Sequence, residues 1–219
     1  MPGPLHGYRI VDLTSNVAGP LGTMILGDQG ADVIKVEPPP GGDSTRSGAN
    51  RLGVGEEAVR KVSPNIVYVS VSGFGERGPY AQAPAYDPVI QGFSGLATVQ
   101  AGSDRARPRL LRTILPDKLT AITSSQAITA ALLARERTGE GQHVRLSMLE
   151  AVVFFLWPSD MAQQTFVGEE PTEQEAASAI DLIYETADGY ITAAVVTDRQ
   201  WQGLTRALRS AGPQGRDRG

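Results

Sequence analysis

The sequence predicts an α/β protein: a parallel sheet flanked by helices. Three observations carry this. Tyr8–Leu13 (YRIVDL) and Ala31–Glu37 (ADVIKVE) are short apolar runs on either side of a helical stretch, which is the pattern of a βαβ unit. Ile66–Val71 (IVYVSV) is a continuous apolar run of the kind found in parallel sheets covered on both faces. The longest run of helical composition extends from Leu119 to Ala134 and ends in Arg135-Glu136-Arg137-Thr138-Gly139. A cationic last turn followed by glycine is a helix stop.

In chain order, the first strand leads through Thr14-Ser15-Asn16 to Gly19-Pro20, where proline suits a first helical turn. Leu21–Leu26 continues that helix until Gly27 and Gly30 break it. Pro38-Pro39-Pro40-Gly41-Gly42-Asp43 is a loop, extended by its three prolines. Glu56–Val62 predicts a helix, Pro64-Asn65 a turn, and Ile66–Val71 a buried strand. Pro88–Ala97 is an apolar run, HVRLSML from His143 is strand-like, and Leu146–Trp157 predicts another buried helix. Ala162–Ala177 is a polar, acidic connector, after which Ile183–Thr186 and Tyr190–Val195 predict a hairpin about Asp188-Gly189. Arg199–Leu208 predicts a helix, and the polar tail Ser210–Gly219 is expected to be disordered.

Composition removes several classes of function. The chain has 219 residues, 41% of them hydrophobic and 20% charged, as a packed core requires. A formal charge of −4 argues against nucleic acid as a partner. With no cysteine, neither a disulfide nor a thiol nucleophile is available. The N-terminus has no apolar signal region, and Val152–Trp157 is too short to span a bilayer. A cytoplasmic protein without a membrane partner is the expectation. No phosphate-cradling glycine pattern occurs. The two histidines, His6 and His143, read as structural, since no Ser–His–Asp or metal-binding spacing is built from them.

The residue with most chemical promise is Asp117, in Ile114-Leu115-Pro116-Asp117-Lys118, where an irregular arginine-rich stretch turns into the long helix. An aspartate there either caps the helix or, held ionised by the positive helix end, attacks an activated acyl group to form a covalent intermediate. Local sequence leaves both open. In open α/β sheets, ligands lie beyond the carboxyl ends of strands, here Thr14–Ala18, Glu37–Pro40 and Ser72-Gly73-Phe74-Gly75.

Six segments in order carry a resemblance: GYRIVDLTSNVAGP (7–20), GADVIKVE (30–37), IVYVSVSGFGERGP (66–79), YDPVIQGFSGLA (86–97), Pro116-Asp117 and RERTGEGQ (135–142). Together they resemble the family III coenzyme A transferases, which include formyl-CoA transferase and its relative α-methylacyl-CoA racemase. The resemblance implies a Rossmann-like large domain, an intertwined homodimer, and an acyl-CoA and a small carboxylic acid as substrates, without a metal. It implies Asp117 as the catalytic carboxylate and Asn16, Val17 and Ala18 as contacts to the adenosine part of CoA. It places Arg51 near the CoA phosphates and Tyr86 against the thioester. Gly73, Phe74 and Gly75 lie on a loop whose backbone N–H groups are expected to hold the developing oxyanion. The racemases have histidine at the Tyr86 position as a base; a phenol, ionising near pH 10, serves poorly at neutral pH, which favours transfer over racemisation.

The sequence also departs from the family. Pro38 stands where a basic residue often follows the glutamate of KVE. Between Asn50 and Arg51 the family carries a further strand–helix–strand stretch that is expected to be missing here, and the family's closing portion is expected to lie beyond residue 219. The expected organisation is residues 1–160 as the incomplete Rossmann-like domain, 161–180 as a linker, and 181–219 as the start of the small domain with its tail. The expected function is CoA transfer from an acyl-CoA to a carboxylic acid through a covalent aspartyl intermediate. A racemase-type enzyme and a non-catalytic fragment of the family are the alternatives.

Overall fold

The computed structural model describes residues 1–37, 53–161, 165, 167–168 and 182–210. Arg51, the proline-rich loop, most of the connector and the tail beyond residue 210 lie outside them. The chain forms two compact units, Met1–Ala179 and Ile180–Gly219.

In the first unit, β1 (Arg9–Asp12), α1 (Ala18–Asp28) and β2 (Asp32–Lys35) form the expected βαβ turn, with β1 and β2 parallel and Arg9 opposite Asp32. Gly27 falls inside α1, and the break comes at Gly30, whose φ of 99° a side chain would resist. Helix α2 spans Glu56–Val62, as predicted. Strand β3 (Tyr68–Ser72) then pairs in parallel with β4 (His143–Ser147), Tyr68 opposite His143. The apolar run 88–97 becomes two short helices, α3 (Asp87–Phe93) and α4 (Leu96–Ala101), separated at Gly95 with φ of 82°. Helix α5 runs from Leu115 to Thr138 and stops at Gly139 in the left-handed region, with Arg135 and Arg137 in its last turn. Helix α6 is Met148–Leu156.

The expected single parallel sheet is not formed among the described residues: β1–β2 and β3–β4 are separate two-stranded ribbons. They meet through side chains instead of a shared ladder. Ile10 of β1 and Val67 and Val69 at β3 pack with Leu5, Leu26, Ile128 and Leu132 in one core. β3 is also only half-buried along its whole length.

Helix α5 joins this core to a second one. Its C-terminal half contributes Ile128 and Leu132 to the first, while Leu115 and Leu119 pack against Ala85, Ile90, Leu96, Met148, Val152 and Leu156 in the other. Its direction relative to α1 follows from the contacts. Gly22 faces Ser124 and Ala121, where an added Cβ would lie 2.6 Å from Ser124 Oγ, and Leu26 lies with Ile128 and Leu132. Moving forward along one helix moves forward along the other, so α1 and α5 are parallel and their N-termini share one end.

In the second unit, β5 (Ile183–Glu185) and β6 (Tyr190–Thr192) form the predicted antiparallel hairpin, and α7 spans Asp198–Ser210.

Candidate active site

The start of α5 is set by its sequence: Pro116 occupies a first-turn position where a missing N–H costs nothing. The N-cap is Ile114, so Asp117, the third helical residue, is not the cap. It is 8% exposed, within the first turn, where the helix dipole favours negative charge. Its backbone N–H donates to Asp87 Oδ2 at 3.1 Å. Asp87 is itself 4% exposed, and its Oδ1 accepts Gln91 Nε2 at 2.6 Å. Gln91 also donates to the Thr113 carbonyl at 3.2 Å and accepts the Leu111 N–H at 2.8 Å. The buried Asp87–Gln91 pair thus fastens the irregular stretch before α5 and the helix start itself. The sequence reading found Asp117 and passed over Asp87 and Gln91, although YDPVIQ places them one helical turn apart on one face.

A second loop reaches the same place. A Cβ on Gly73 would fall inside the Ala85 methyl, so glycine is what allows the loop after β3 to touch the residue before Tyr86. Gly73 O accepts Leu149 N–H at 3.0 Å and Ser147 Oγ at 3.3 Å, joining the carboxyl ends of β3 and β4 to α6. Phe74 packs against Tyr80 and Phe93 with centroids 5.5 and 5.2 Å away. Gly75 has φ of 86°, and its N–H donates to Ser72 Oγ at 3.0 Å. That amide is therefore engaged within the loop. Tyr86 is the extended N-cap of α3 and is 64% exposed.

The loop between β1 and α1 is held from inside. Asp12, 3% exposed, accepts Thr14 N–H at 2.8 Å, Thr14 Oγ1 at 2.5 Å, Thr23 Oγ1 at 2.8 Å and Lys35 Nζ at 3.1 Å. Burial pushes the Asp12 carboxyl up, but the bonds from Thr14, Thr23 and Lys35 outweigh it and hold it below its ordinary range. Asn16 is exposed with φ of 57°, Val17 is the N-cap of α1, and Ala18 is buried. Because α1 and α5 are parallel, this loop and Asp117 lie at the same end of the helix pair. Gly73, Tyr86 and Asp117 are linked through Ala85 and Asp87.

Strand register also builds a Ser–His–acid contact that local spacing does not reveal. Register brings Ser70 of β3 next to His143 of β4, with Ser70 Oγ 2.8 Å from Nε2. His143 Nδ1 lies against the Glu56 carboxylate without an aligned hydrogen bond. Glu56 is shared with Arg60 at 2.8 Å and Arg145 at 3.5 Å, and the bond from Arg60 leads in lowering its pKa. A Ser–His–acid contact therefore exists, but Ser70 sits in mid-strand and the acid is tied up by two guanidinium groups. It fastens α2 to the polar face of the β3–β4 ribbon.

Among the described residues no group of three metal-ligating side chains occurs, and no helix is long and apolar enough to cross a membrane. A hollow beside α6, lined by Leu149, Glu150, Val153, Phe154, Trp157 and Pro158, includes none of the candidate site residues.

The family model for CoA-transferase family III matches residues 5–50 and 47–218. The chain belongs to CoA-transferase family III. The family match comes in two stretches that meet at residues 47–50. A succinate–glutarate CoA-transferase of Agrobacterium fabrum is 30% identical over 94% of this chain and 66% of its own length. That alignment runs over 267 positions, so at least 48 of them have no counterpart among the 219 residues here. An acetyl-CoA:oxalate CoA-transferase of Acetobacter aceti is 32% identical over 70% of this chain and 53% of its own. The chain thus spans about half to two thirds of the length of these curated relatives. Among solved structures, the CAIB/BAIF family protein from Brucella suis superposes with a TM-score of 0.79 at 26% identity, covering 95% of this chain and 70% of that one. Rv3272 from Mycobacterium tuberculosis gives 0.78 at 26% identity, covering 94% and 67%.

Proposed function

We propose that this family III chain takes part in CoA transfer from an acyl-CoA to a small carboxylic acid, with Asp117 as the covalent nucleophile. The observation that supports it best is the placement of Asp117. It is not the helix cap; it sits in the first turn of α5, on a main chain pinned by the buried Asp87, beside the loop end that carries Gly73 and Tyr86.

The Asp117 carboxylate attacks the thioester carbonyl, forming a mixed anhydride and releasing the CoA thiolate. The thiolate attacks the aspartyl carbonyl of that anhydride, giving a thioester on Asp117 and freeing the first acid. The incoming carboxylate attacks this thioester and the two steps run in reverse, returning Asp117 and the new acyl-CoA. The positive end of α5 supports the charge that develops at each step. Asn16, Val17 and Ala18 would meet the adenosine part of CoA, Arg51 its phosphates and Tyr86 the thioester, and the loop around Gly73 and Phe74 would border the reacting group. Several relatives are named for dicarboxylic acids, among them succinate, glutarate and oxalate, so an acid of that size is the acceptor to try first.

The same reading takes the two parallel ribbons as parts of a Rossmann-like layer and residues 181–219 as the opening of a small domain. It includes a cytoplasmic homodimer, supported by the family resemblance. The deciding experiment is Asp117→Asn. Exchange of labelled CoA between thioester and acid should vanish while CoA binding persists; exchange at the parent rate would overturn the assignment.

A further inference from the structure

We infer that Asp12 is a positioning residue for coenzyme binding: from beneath the loop Thr14–Ala18 its carboxylate fixes the backbone that the nucleotide end of CoA would meet. The inference rests on the coenzyme reading above and adds to it a residue that no ligand could touch, since the Asp12 side chain is 1% exposed.

The geometry is unusually complete for one side chain. Oδ1 accepts both the N–H and the hydroxyl of Thr14, while Oδ2 accepts the Thr23 hydroxyl and the Lys35 ammonium. Lys35 Nζ turns on to the carbonyl of Thr14 as well. The amide, hydroxyl and carbonyl of Thr14 are therefore all held, and the holding groups come from β1, α1 and β2 together. A Cβ on Gly19 would fall inside the Thr14 side chain, so the loop closes tightly over this anchor. Beyond it the chain must turn through Asn16 at φ of 57°, a conformation that residues other than glycine enter at a cost. A turn of that kind persists only when its flanks are fixed, and Asp12 fixes the flank on the strand side.

A carboxylate suits this task for a countable reason. Four donors converge on Asp12, and an ionised carboxyl offers about four lone-pair sites and no hydrogen. Asparagine would keep one oxygen and turn an NH₂ toward two donors, leaving at least one buried donor unmet. The loop would then be free to leave the shape that presents Asn16, Val17 and Ala18. None of these atoms reacts, so the loss should fall on coenzyme affinity and KM, with kcat at saturation little affected.

The test is calorimetric titration of CoA into the full chain and its Asp12→Asn, Thr14→Val and Thr14→Ser variants, with circular dichroism for folding and steady-state exchange where activity is measurable. Loss of bonds to a buried charge should weaken CoA binding about tenfold or more in Asp12→Asn. Thr14→Val, which loses only the hydroxyl bond, should show a smaller loss in the same direction. Thr14→Ser keeps both donors and should restore the parent affinity. If Asp12→Asn does not fold, the Thr14→Val and Thr14→Ser comparison decides alone. Parent-like CoA affinity in folded Asp12→Asn, or in Thr14→Val, overturns the inference. Failure of the parent chain itself to bind CoA overturns the coenzyme reading, and that arm separates the two outcomes.

Discussion

The carboxylate of Asp87 accepts the backbone amide of Asp117 at 3.1 Å, so one buried acid fixes the turn on which the other stands. Its second oxygen is occupied by Gln91, which holds the approach to α5 through Leu111 and Thr113. Asp87 therefore governs where Asp117 is placed without needing to react.

Replacing Asp87 by Asn leaves one acceptor oxygen for two donors. The folded state should lose about 1–3 kcal/mol, the cost of leaving a buried partner unmet. Urea denaturation of both chains would measure it, and an unchanged midpoint would show that the Gln91 and Asp117 bonds add nothing.

Gly73→Ala places a methyl within the Ala85 side chain. Overpacking at that contact should cost about 1–3 kcal/mol and displace Tyr86 with it. Pairing it with Ala85→Gly should recover most of the loss; a pair no better than the single variant would mean that the loop strain lies elsewhere.

Gly22→Ala brings a Cβ to 2.6 Å from Ser124 Oγ, where α1 packs on α5. The thermal midpoint should fall, and the double variant with Ser124→Ala should fall less than the two changes sum to, because they share one contact. Strict additivity in that cycle would contradict the packing described.

Stability should also depend on pH through Asp12. Its folded pKa lies below the ordinary value of 3.8, so its contribution is fully present above about that pH and is lost as pH falls through the lower folded value. Denaturation midpoints of parent and Asp12→Asn should differ most near neutrality and converge in acid. A gap that stays constant to low pH would rule out the carboxylate as its source.

The family resemblance sets Tyr86 at the position of the racemases' histidine, and the phenol is 64% exposed at the start of α3. Incubating a 2-methylacyl-CoA with the chain in heavy water should leave the α-carbon undeuterated by mass spectrometry. Incorporation above the blank would turn the function from transfer to racemisation.

Much of this architecture could be read from local chemistry. The Gly139 stop and the bounds of α2 follow from composition and end signals, and the βαβ turn from alternating runs. Asp117 was recognisable as a helix-start acid, but its offset from the cap was not, because Ile114 makes an N-cap that propensity does not suggest. The Ser70–His143 contact joins residues 73 positions apart and exists only through strand register, which no local pattern encodes. Asp87 precedes and Gln91 interrupts what reads as an ordinary apolar run, and their burial comes only with the fold. The two ribbons in place of one sheet depend on which strand reaches which, a question settled by packing across the chain.

Helix α2 has no fully buried side chain, and one glutamate ties it to His143 and Arg145 of β4. A segment fastened in this way can peel off while both cores remain shut, since little oily surface is uncovered when it leaves. Its amides should be among the first to swap hydrogen for deuterium, and raised ionic strength should hasten that exchange by weakening the glutamate's grip. A protease working on the intact fold would then have an early cut there.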